Sequence, residues 1–496
     1  MLLSDYLQQH LERGDPTGAA PVNRQIYELM RQAILRGEWP ADTRLPSTRE
    51  LATDSGLSRN TVLHAYQQLL AEGYIVARAG SGTFVSDTLP RRHRGIPAGR
   101  TRGGQAPARL SARAELLLEH AALTGSPAGP FALGVSDTSL FPQATWARLM
   151  GRRWRTATSE LLNYAHGGGW PALREALAEH LRLARSGNCE AAQIVLTSGI
   201  QQSIALASLV FTDVGDHVWM EEPGYRGARG LLRACGLTTV PIRVDDEGIA
   251  PNARDLSSPP RLMYVTPSHQ FPLGMVMSLA RRRMLLDYAR RNDIWLLEDD
   301  YDSEFRFEGR SLASLQGLDE HERVLYMGSF SKTLFPGIRV GYLVLPSAAL
   351  AEKCASAYAE LYRDGQLVQQ AALADFMQAG HYAAHIRRTR QVYARKQTLL
   401  RECIVRRFGA DWPISTHEAG LHLVLHLPPQ CDDVRIGAQA QAQGLVTRPL
   451  SRHYIDGGIA RQGLLLGYAD VRDSQVRPAF ERLARIVEAD IGGGGR

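Results

Sequence analysis

The stretch GSFSKTLFPGIRVGY, residues 328–342, sets one lysine, Lys332, among small and hydroxyl residues, with Arg339 a short way on. An amine held partly unprotonated beside an aldehyde captures its carbon as a nucleophile. Ser329 and Ser331 can hold an anion next to that amine, and Arg339 adds a cation able to grip the same anion bidentately. Three further fragments carry complementary chemistry. EDDYDSEF closes the apolar run IWLL with Asp299, followed by Tyr301; a buried carboxylate at a strand end keeps a pyridine nitrogen protonated and turns the ring into an electron sink. TSGIQQSIALA offers backbone N–H groups of Ser198, Gly199, Ile200 and Gln201 to a phosphate at a helix N-terminus. EEPGY delivers Tyr225, an aromatic suited to stacking on a flat cofactor. Each fragment alone also reads as something ordinary: a solvated lysine, a strand-end acid, an N-cap turn, a packed tyrosine. Their order along the chain makes them a set.

The elements that must position them follow a regular alternation. Apolar runs IVLTS, HVWM, LMYVT, IWLLED and VLYMGS alternate with helical stretches such as ARRRMLLDYARRND, the signature of an α/β domain with a mainly parallel sheet. In this order and at these strand ends the fragments resemble the fold-type I, aspartate-aminotransferase-like domain that binds pyridoxal 5'-phosphate (PLP). The resemblance implies that Lys332 forms the internal aldimine and is the catalytic residue, Asp299 pairs with the ring nitrogen, and Tyr301 bonds the phenolic oxygen. It gives Ser198, Gly199, Ile200, Ser329, Ser331 and Arg339 to the phosphate, and Tyr225 to the cofactor. In NYAHGGGWPALREALAEHL it implies that Tyr164 crosses a dimer interface to the partner's phosphate. In RQGLLLGYA it gives Arg461 to an effector carboxylate, with a salt-bridged structural arginine as the alternative. Where many aminotransferases have N-P-T-G, this chain has F-P-L-G. Phe271 thus replaces an asparagine at the phenolic oxygen, and His269 and Gln270 either compensate, contact an effector or have no chemical part.

The N-terminal region is of another kind. VNRQIYELMRQAILRGEW repeats apolar residues (Ile26, Leu29, Met30, Ala33, Ile34) at helical spacing and stops at Gly37. RLPSTRELATDSG predicts a second helix, with Ser47 and Glu50 in capping-box spacing. After the turn Ser55-Gly56-Leu57, SRNTVLHAYQQLLAEG predicts a third, capped by Ser58, burying Val62, Ala65, Tyr66 and Leu69 and leaving Arg59, Asn60, Thr61 and His64 free. Two helices joined by a tight glycine turn, the second opening with hydrogen-bonding side chains, is helix-turn-helix design. YIVARAGSGTFV then predicts a two-stranded wing. The pattern resembles the GntR-type winged helix, which implies DNA contacts from Arg44, Ser47, Arg49, Ser58, Arg59, Thr61 and Gly82. Arg44 and Arg49 suit phosphates and Arg59 a guanine edge.

At 496 residues the chain exceeds one ordinary domain. The expected divisions are an N-terminal lead (1–20), a GntR-type winged helix (21–88), an Arg/Pro/Gly-rich linker (89–112) and an aminotransferase-like PLP-binding effector and dimerisation domain (113–490). Five dispersed cysteines without C-x-x-C spacing argue for a reducing cytoplasm and against a disulfide or zinc framework, so no metal is expected. No run of eighteen apolar residues and no leader pattern appear, so no membrane partner is expected. The whole resembles the MocR/GabR family of bacterial regulators, to which T-P-S-H-Q-F-P-x-G and E-D-D-Y-D-S-E-F are typical. It implies a multidomain, cytoplasmic homodimer on paired half-sites of double-stranded DNA, sensing a small amine or amino acid by aldimine exchange on PLP. Sensing of PLP itself, and a working aminotransferase with an accessory DNA module, are the alternatives.

Overall fold

The computed structural model describes residue 7 and residues 21–87, 109–124, 129–164, 167–307, 309, 313–363, 365–415, 419–455 and 457–493. The lead, residues 1–20, lies outside them except for Leu7, and the linker, residues 89–112, except for residues 109–112. The chain divides into two compact units, Met1–Arg109 and Leu110–Arg496.

In the first unit α1 (Val22–Leu35), β1 (Arg44–Leu45), α2 (Thr48–Ser55), α3 (Arg59–Ala71), β2 (Ile75–Arg78) and β3 (Gly82–Val85) follow one another. Helical spacing puts Ile26, Met30 and Ile34 of α1 against Val62, Tyr66 and Leu69 of α3 in one core. Leu7 joins that core with no exposed surface, so the polar lead contributes a buried side chain. Gly37, at φ +73°, takes the left-handed turn that ends α1. Ser47 and Glu50 form the capping box of α2, and Ser58 accepts the Thr61 N–H at the start of α3. The Tyr66 hydroxyl donates to the Pro46 carbonyl at 2.9 Å and ties α3 to the strand that leads into α2. The sheet order β1-β3-β2, antiparallel throughout, is the wing.

The second unit is built on an eight-stranded sheet. Its strands are β4 (Ile194–Thr197), β5 (His217–Glu222), β6 (Thr238–Asp245), β7 (Gly248–Ile249), β8 (Leu262–Val265), β9 (Trp295–Asp300), β10 (Val324–Ser329) and β11 (Gly341–Val344). The order is β4-β11-β10-β9-β8-β5-β6-β7, with β10, β9, β8, β5 and β6 parallel and β11 and β7 antiparallel to their neighbours. Both faces are covered, which is why these strands read as unbroken apolar runs. Leu296, Val324 and Met263 point to one face, under α4 (Pro171–Arg185), α7 (Leu279–Arg291) and α10 (His381–Phe408); Leu297, Leu325 and Tyr264 point to the other. That second face lies under α5 (Ile200–Phe211), α6 (Arg226–Ala234) and α9 (Ala348–Tyr362), while the short α8 (Phe330–Thr333) carries Lys332 out of β10. A smaller antiparallel sheet of β12 (His422–His426), β14 (Gly463–Gly467) and β13 (Arg448–Pro449), in that order, packs with α11 (Asp433–Ala442) and α12 (Asp473–Gly493). Among the described residues no helix is long and apolar enough to cross a membrane.

Candidate functional site

In a parallel sheet, ligands collect outside the carboxyl ends of the strands. There, in the second unit, a cavity of about 570 Å³ is lined by Tyr225 after β5, Thr266 after β8, Asp299 and Tyr301 at the end of β9, and Ser329, Ser331 and Lys332 after β10. Arg339, Ile200 and Gln201 complete that wall. Strand alternation decides which acid of the Glu298-Asp299-Asp300 run faces it. Asp299 shares the face of Leu297 and lies beside Tyr264, whose hydroxyl donates to its Oδ2. Glu298 and Asp300 turn the other way: Glu298 accepts the Leu315 and Gln316 N–H groups, and Asp300 pairs with Arg185 at 2.7 Å and accepts from Tyr326.

Asp299 is buried, and its Oδ1 has no hydrogen-bond partner among the described residues. Burial raises its pKa to about 7, opposed by the Tyr264 hydrogen bond and reinforced by the nearby Asp300 and Asp302 charges. A buried acceptor with an orphaned oxygen suits a protonated ring nitrogen. The Lys332 ammonium nitrogen donates to the Gly134 carbonyl at 2.5 Å. Burial holds its pKa below the ordinary lysine value, against the attraction of Asp302 and Asp299, and so favours the neutral, nucleophilic form. Gly134, at φ +66°, holds a left-handed conformation that favours glycine, and a Cβ on it would meet that nitrogen at 2.6 Å and displace it. Nothing in PFALGVSD announces such a role before folding.

The turn into α5 makes an anion cradle. Gly199, at φ +115°, caps the helix, and a Cβ on it would stand 3.5 Å from the Arg339 guanidinium. The first in-helix bonds are made by Gln202 and Ser203 to the Gly199 carbonyl, so the N–H groups of Ile200 and Gln201 precede the ladder. Ser198 departs from expectation. Its N–H donates to Gln202 Oε1 at 2.6 Å, and the residue does not line the cavity. Ser329 caps α8 by accepting the Ser331 N–H, and its own hydroxyl donates to Ser331 Oγ at 3.0 Å.

Tyr301 sits 2.9 Å from His269 Nδ1, which also contacts both oxygens of Asp302 at 3.0 and 3.2 Å. A carboxylate only accepts, so Nδ1 carries the proton and the Tyr301 hydroxyl hydrogen stays available to the cavity. Phe271, in the asparagine position, meets Tyr225, Tyr301, His422 and His453 edge-on. Gln270 is committed to the turn: its amide donates to Pro223 O, Phe271 O and Glu221 Oε2.

Two assignments fall elsewhere. Arg461 is exposed and does not line the cavity. It precedes β14, whereas β13, paired with β14 through Arg448–Leu465, carries the cavity-facing arginine. Arg448, Arg452 and Arg226 stand in the lining instead. The clues were Arg226 directly after EEPGY and the pair in RPLSR. Tyr164 is 68% exposed and lies outside its own chain's cavity. In the first unit, Arg44, Ser47, Arg49, Ser58, Arg59 and Gly82 are exposed and Thr61 is half-buried. Arg44 lies across the wing, 3.3 Å from where a Gly82 Cβ would be.

Fold and site define a winged-helix unit joined to an aminotransferase-like α/β unit. Residues 22–85 match the family described as bacterial regulatory proteins, gntR family, and residues 131–483 match aminotransferase class I and II. The chain is 40% identical to the probable rhizopine catabolism regulatory protein MocR of Rhizobium meliloti, over 95% of this chain and 94% of that one. It is 30% identical to the HTH-type transcriptional regulator TauR of Rhodobacter capsulatus, over 95% and 98%. Among solved structures, the α-aminoadipate aminotransferase LysN of Thermus thermophilus, complexed with N-(5'-phosphopyridoxyl)-L-leucine, superposes with TM-score 0.68 and 26% identity, over 77% of this chain and 96% of that one. The chain belongs to the MocR-type family of transcriptional regulators, with a GntR helix-turn-helix and an aminotransferase class I and II domain.

Proposed function

We propose that this protein is a bacterial transcriptional regulator that binds operator DNA through its first unit, holds PLP in its second, and responds there to a small amino compound. One observation carries the reading: a half-buried amine of lowered pKa, a carboxylate with an orphaned oxygen, and an arginine beside a glycine-capped helix start share a single cavity wall. These residues fit the cofactor. Asp299 would hold the ring nitrogen, Tyr225 the ring face and Tyr301 the phenolic oxygen. Arg339, Ser329, Ser331 and the turn at Gly199 and Ile200 would hold the phosphate. When bound, PLP supplies an aldehyde carbon that combines reversibly with primary amines. Lys332 is the chain's own amine for that carbon, and the amine of a ligand competes with it. Such a ligand moves the DNA-binding equilibrium only by its differential affinity for two states of the protein.

Regulation rather than turnover is favoured by the DNA-binding unit and by Phe271, which brings no hydrogen-bond donor to the phenolic oxygen. We further propose that the protein acts in the cytoplasm as a homodimer on paired half-sites, with the exposed Tyr164 reaching the partner's cavity and residues 89–112 linking the units. Arg44, Ser47, Arg49, Ser58, Arg59, Thr61 and Gly82 form the proposed DNA surface. The test is reconstitution with PLP, followed by visible absorbance and borohydride reduction. Wild type is expected to colour and to keep a reduced adduct on Lys332, and Lys332→Ala to do neither. A colourless wild type would refute the cofactor reading, and steady keto-acid formation from an amino donor would replace sensing by catalysis.

A further inference from the structure

We infer that His269, anchored by Asp302, is a positioning residue for Tyr301: it turns the Tyr301 hydroxyl hydrogen toward the cofactor's phenolic oxygen, where Phe271 brings no donor. The inference rests on the PLP reading above. The three groups come from two turns, His269 from the one after β8, Tyr301 and Asp302 from the one after β9. His269 and Asp302 are buried, while Tyr301 lines the cavity. One ring nitrogen meets both neighbours: Nδ1 is 3.0 and 3.2 Å from the Asp302 oxygens and 2.9 Å from the Tyr301 oxygen. The proton on Nδ1 faces the carboxylate and the phenol oxygen together, so the tyrosine accepts there and donates elsewhere. Burial first, then the Asp302 and Asp299 charges, hold the Tyr301 pKa well above its ordinary value, so it keeps that hydrogen.

The surroundings fix this arrangement. A Cβ on Gly420 would overlap the His269 ring and stand 2.9 Å from Asp302 Oδ2, so the turn leading into β12 closes directly on the pair. Nearby hydroxyls are engaged: Tyr264 donates to Asp299, and Tyr225 accepts from Gln201 at 3.0 Å. Phe271 meets Tyr301 edge-on, 5.9 Å between ring centroids. Without the imidazole, the Tyr301 hydrogen turns to the Asp302 carboxylate and is lost to the cavity. The charges acting on Tyr301 and Asp302 include Asp299 and Asp300 of β9, Glu221 of β5 and Lys332 of α8. The His422 ring of β12 lies 5.6 Å from that of His269, and Arg185, Arg282 and Arg306 border the small void that His269 and Asp302 also line. All of these groups remain in every variant below, so a shift between variants reports His269 and Tyr301.

A hydrogen bond to the phenolic oxygen stabilises its anion and weakens its hold on the proton it shares with the lysine-linked nitrogen, which lowers the pH midpoint of the visible band. The experiment titrates the visible absorbance of the PLP-reconstituted full chain against pH. Tyr301→Phe is expected to raise the midpoint by about one pH unit, and His269→Leu by about half as much. His269→Asn, whose amide N–H₂ takes the place of Nδ1, is expected to stay near wild type. Tyr301→Phe combined with His269→Leu should not exceed Tyr301→Phe alone, because the ring acts through the hydroxyl. His269→Phe replaces the leucine variant if that chain does not colour. An unmoved or lowered midpoint in His269→Leu, an equal shift in His269→Asn, or full addition in the double variant overturns the inference while the PLP reading stands. If neither apolar variant colours where Tyr301→Phe does, the ring serves only the fold and the inference again falls. A colourless wild type takes both readings down.

Discussion

The arginines offered to DNA in the first unit and the half-buried Arg226 and Arg448 of the cavity in the second meet anions under different conditions. Arg44, Arg49 and Arg59 stand in solvent, beside helix starts capped by Ser47 and Ser58. Water and salt screen them, so each contact is weak, numerous contacts are needed, and affinity falls as salt rises. Arg226 and Arg448, each half-buried, line a cavity floored by a doubly covered sheet, where screening is weaker and a single group counts for more. The comparison teaches that the same side chain serves reversible surface grip in one unit and selective recognition in the other, according to how much water reaches it.

Several substitutions would break or sharpen that contrast. The largest effect is expected at Asp299. Asp299→Asn removes a buried charged acceptor, which should cost about 1.5–3 kcal/mol of PLP affinity, at least about tenfold in Kd by absorbance titration. Unchanged affinity would mean that Asp299 does not hold the ring nitrogen. On the exposed side, Arg59→Ala should cost about 1–3 kcal/mol on the operator and little on random DNA. An equal loss on both would make Arg59 a phosphate contact. The salt slope of operator binding should drop for Arg44→Ala and Arg49→Ala, whereas cofactor affinity should change much less over the same range.

A pH series probes the buried side alone. Asp299 and Glu221 are both raised to about 7 by burial. Between the unfolded carboxylate range and pH 7 the folded, cofactor-free protein binds more protons than the unfolded one, so these groups lower its stability as pH rises, and no further above pH 7. Each contributes at most about 1.4 kcal/mol per pH unit while it titrates. In Asp299→Asn the decline between pH 5 and 7 should be shallower in thermal or urea unfolding; an identical profile would show that Asp299 does not titrate there. The smallest change is a cap. Ser58→Ala loses the bond to the Thr61 N–H and should cost the first unit about 1 kcal/mol in urea unfolding, with no effect on cofactor absorbance.

Much of this architecture was legible before folding, because it is written in short-range pattern. Caps at Ser47 and Ser58, the stop at Gly37 and the apolar period of α1 and α3 depend on residues three or four apart. The strand runs of the large unit were equally plain, and the resemblance of TSGIQQ, EEPGY, EDDYDSEF and SFSKT pointed to one constellation. Where this reading faltered, the missing information was distance in space. Ser198 looked free until Gln202 Oε1 took its N–H. Arg461 looked cavity-facing until pairing of β13 with β14 put Arg448 there.

By itself, then, the order of residues determined two fold classes, their caps and strands, and the kinds of group available for chemistry. Tertiary structure alone decided that Gly134 would accept from Lys332 across nearly two hundred positions, and that Asp299 rather than Glu298 or Asp300 would face the cavity. It alone set one nitrogen of His269 between Asp302 and Tyr301. The reason is physical: helix and strand signals arise from neighbours along the chain, whereas burial and desolvation exist only after distant segments have met.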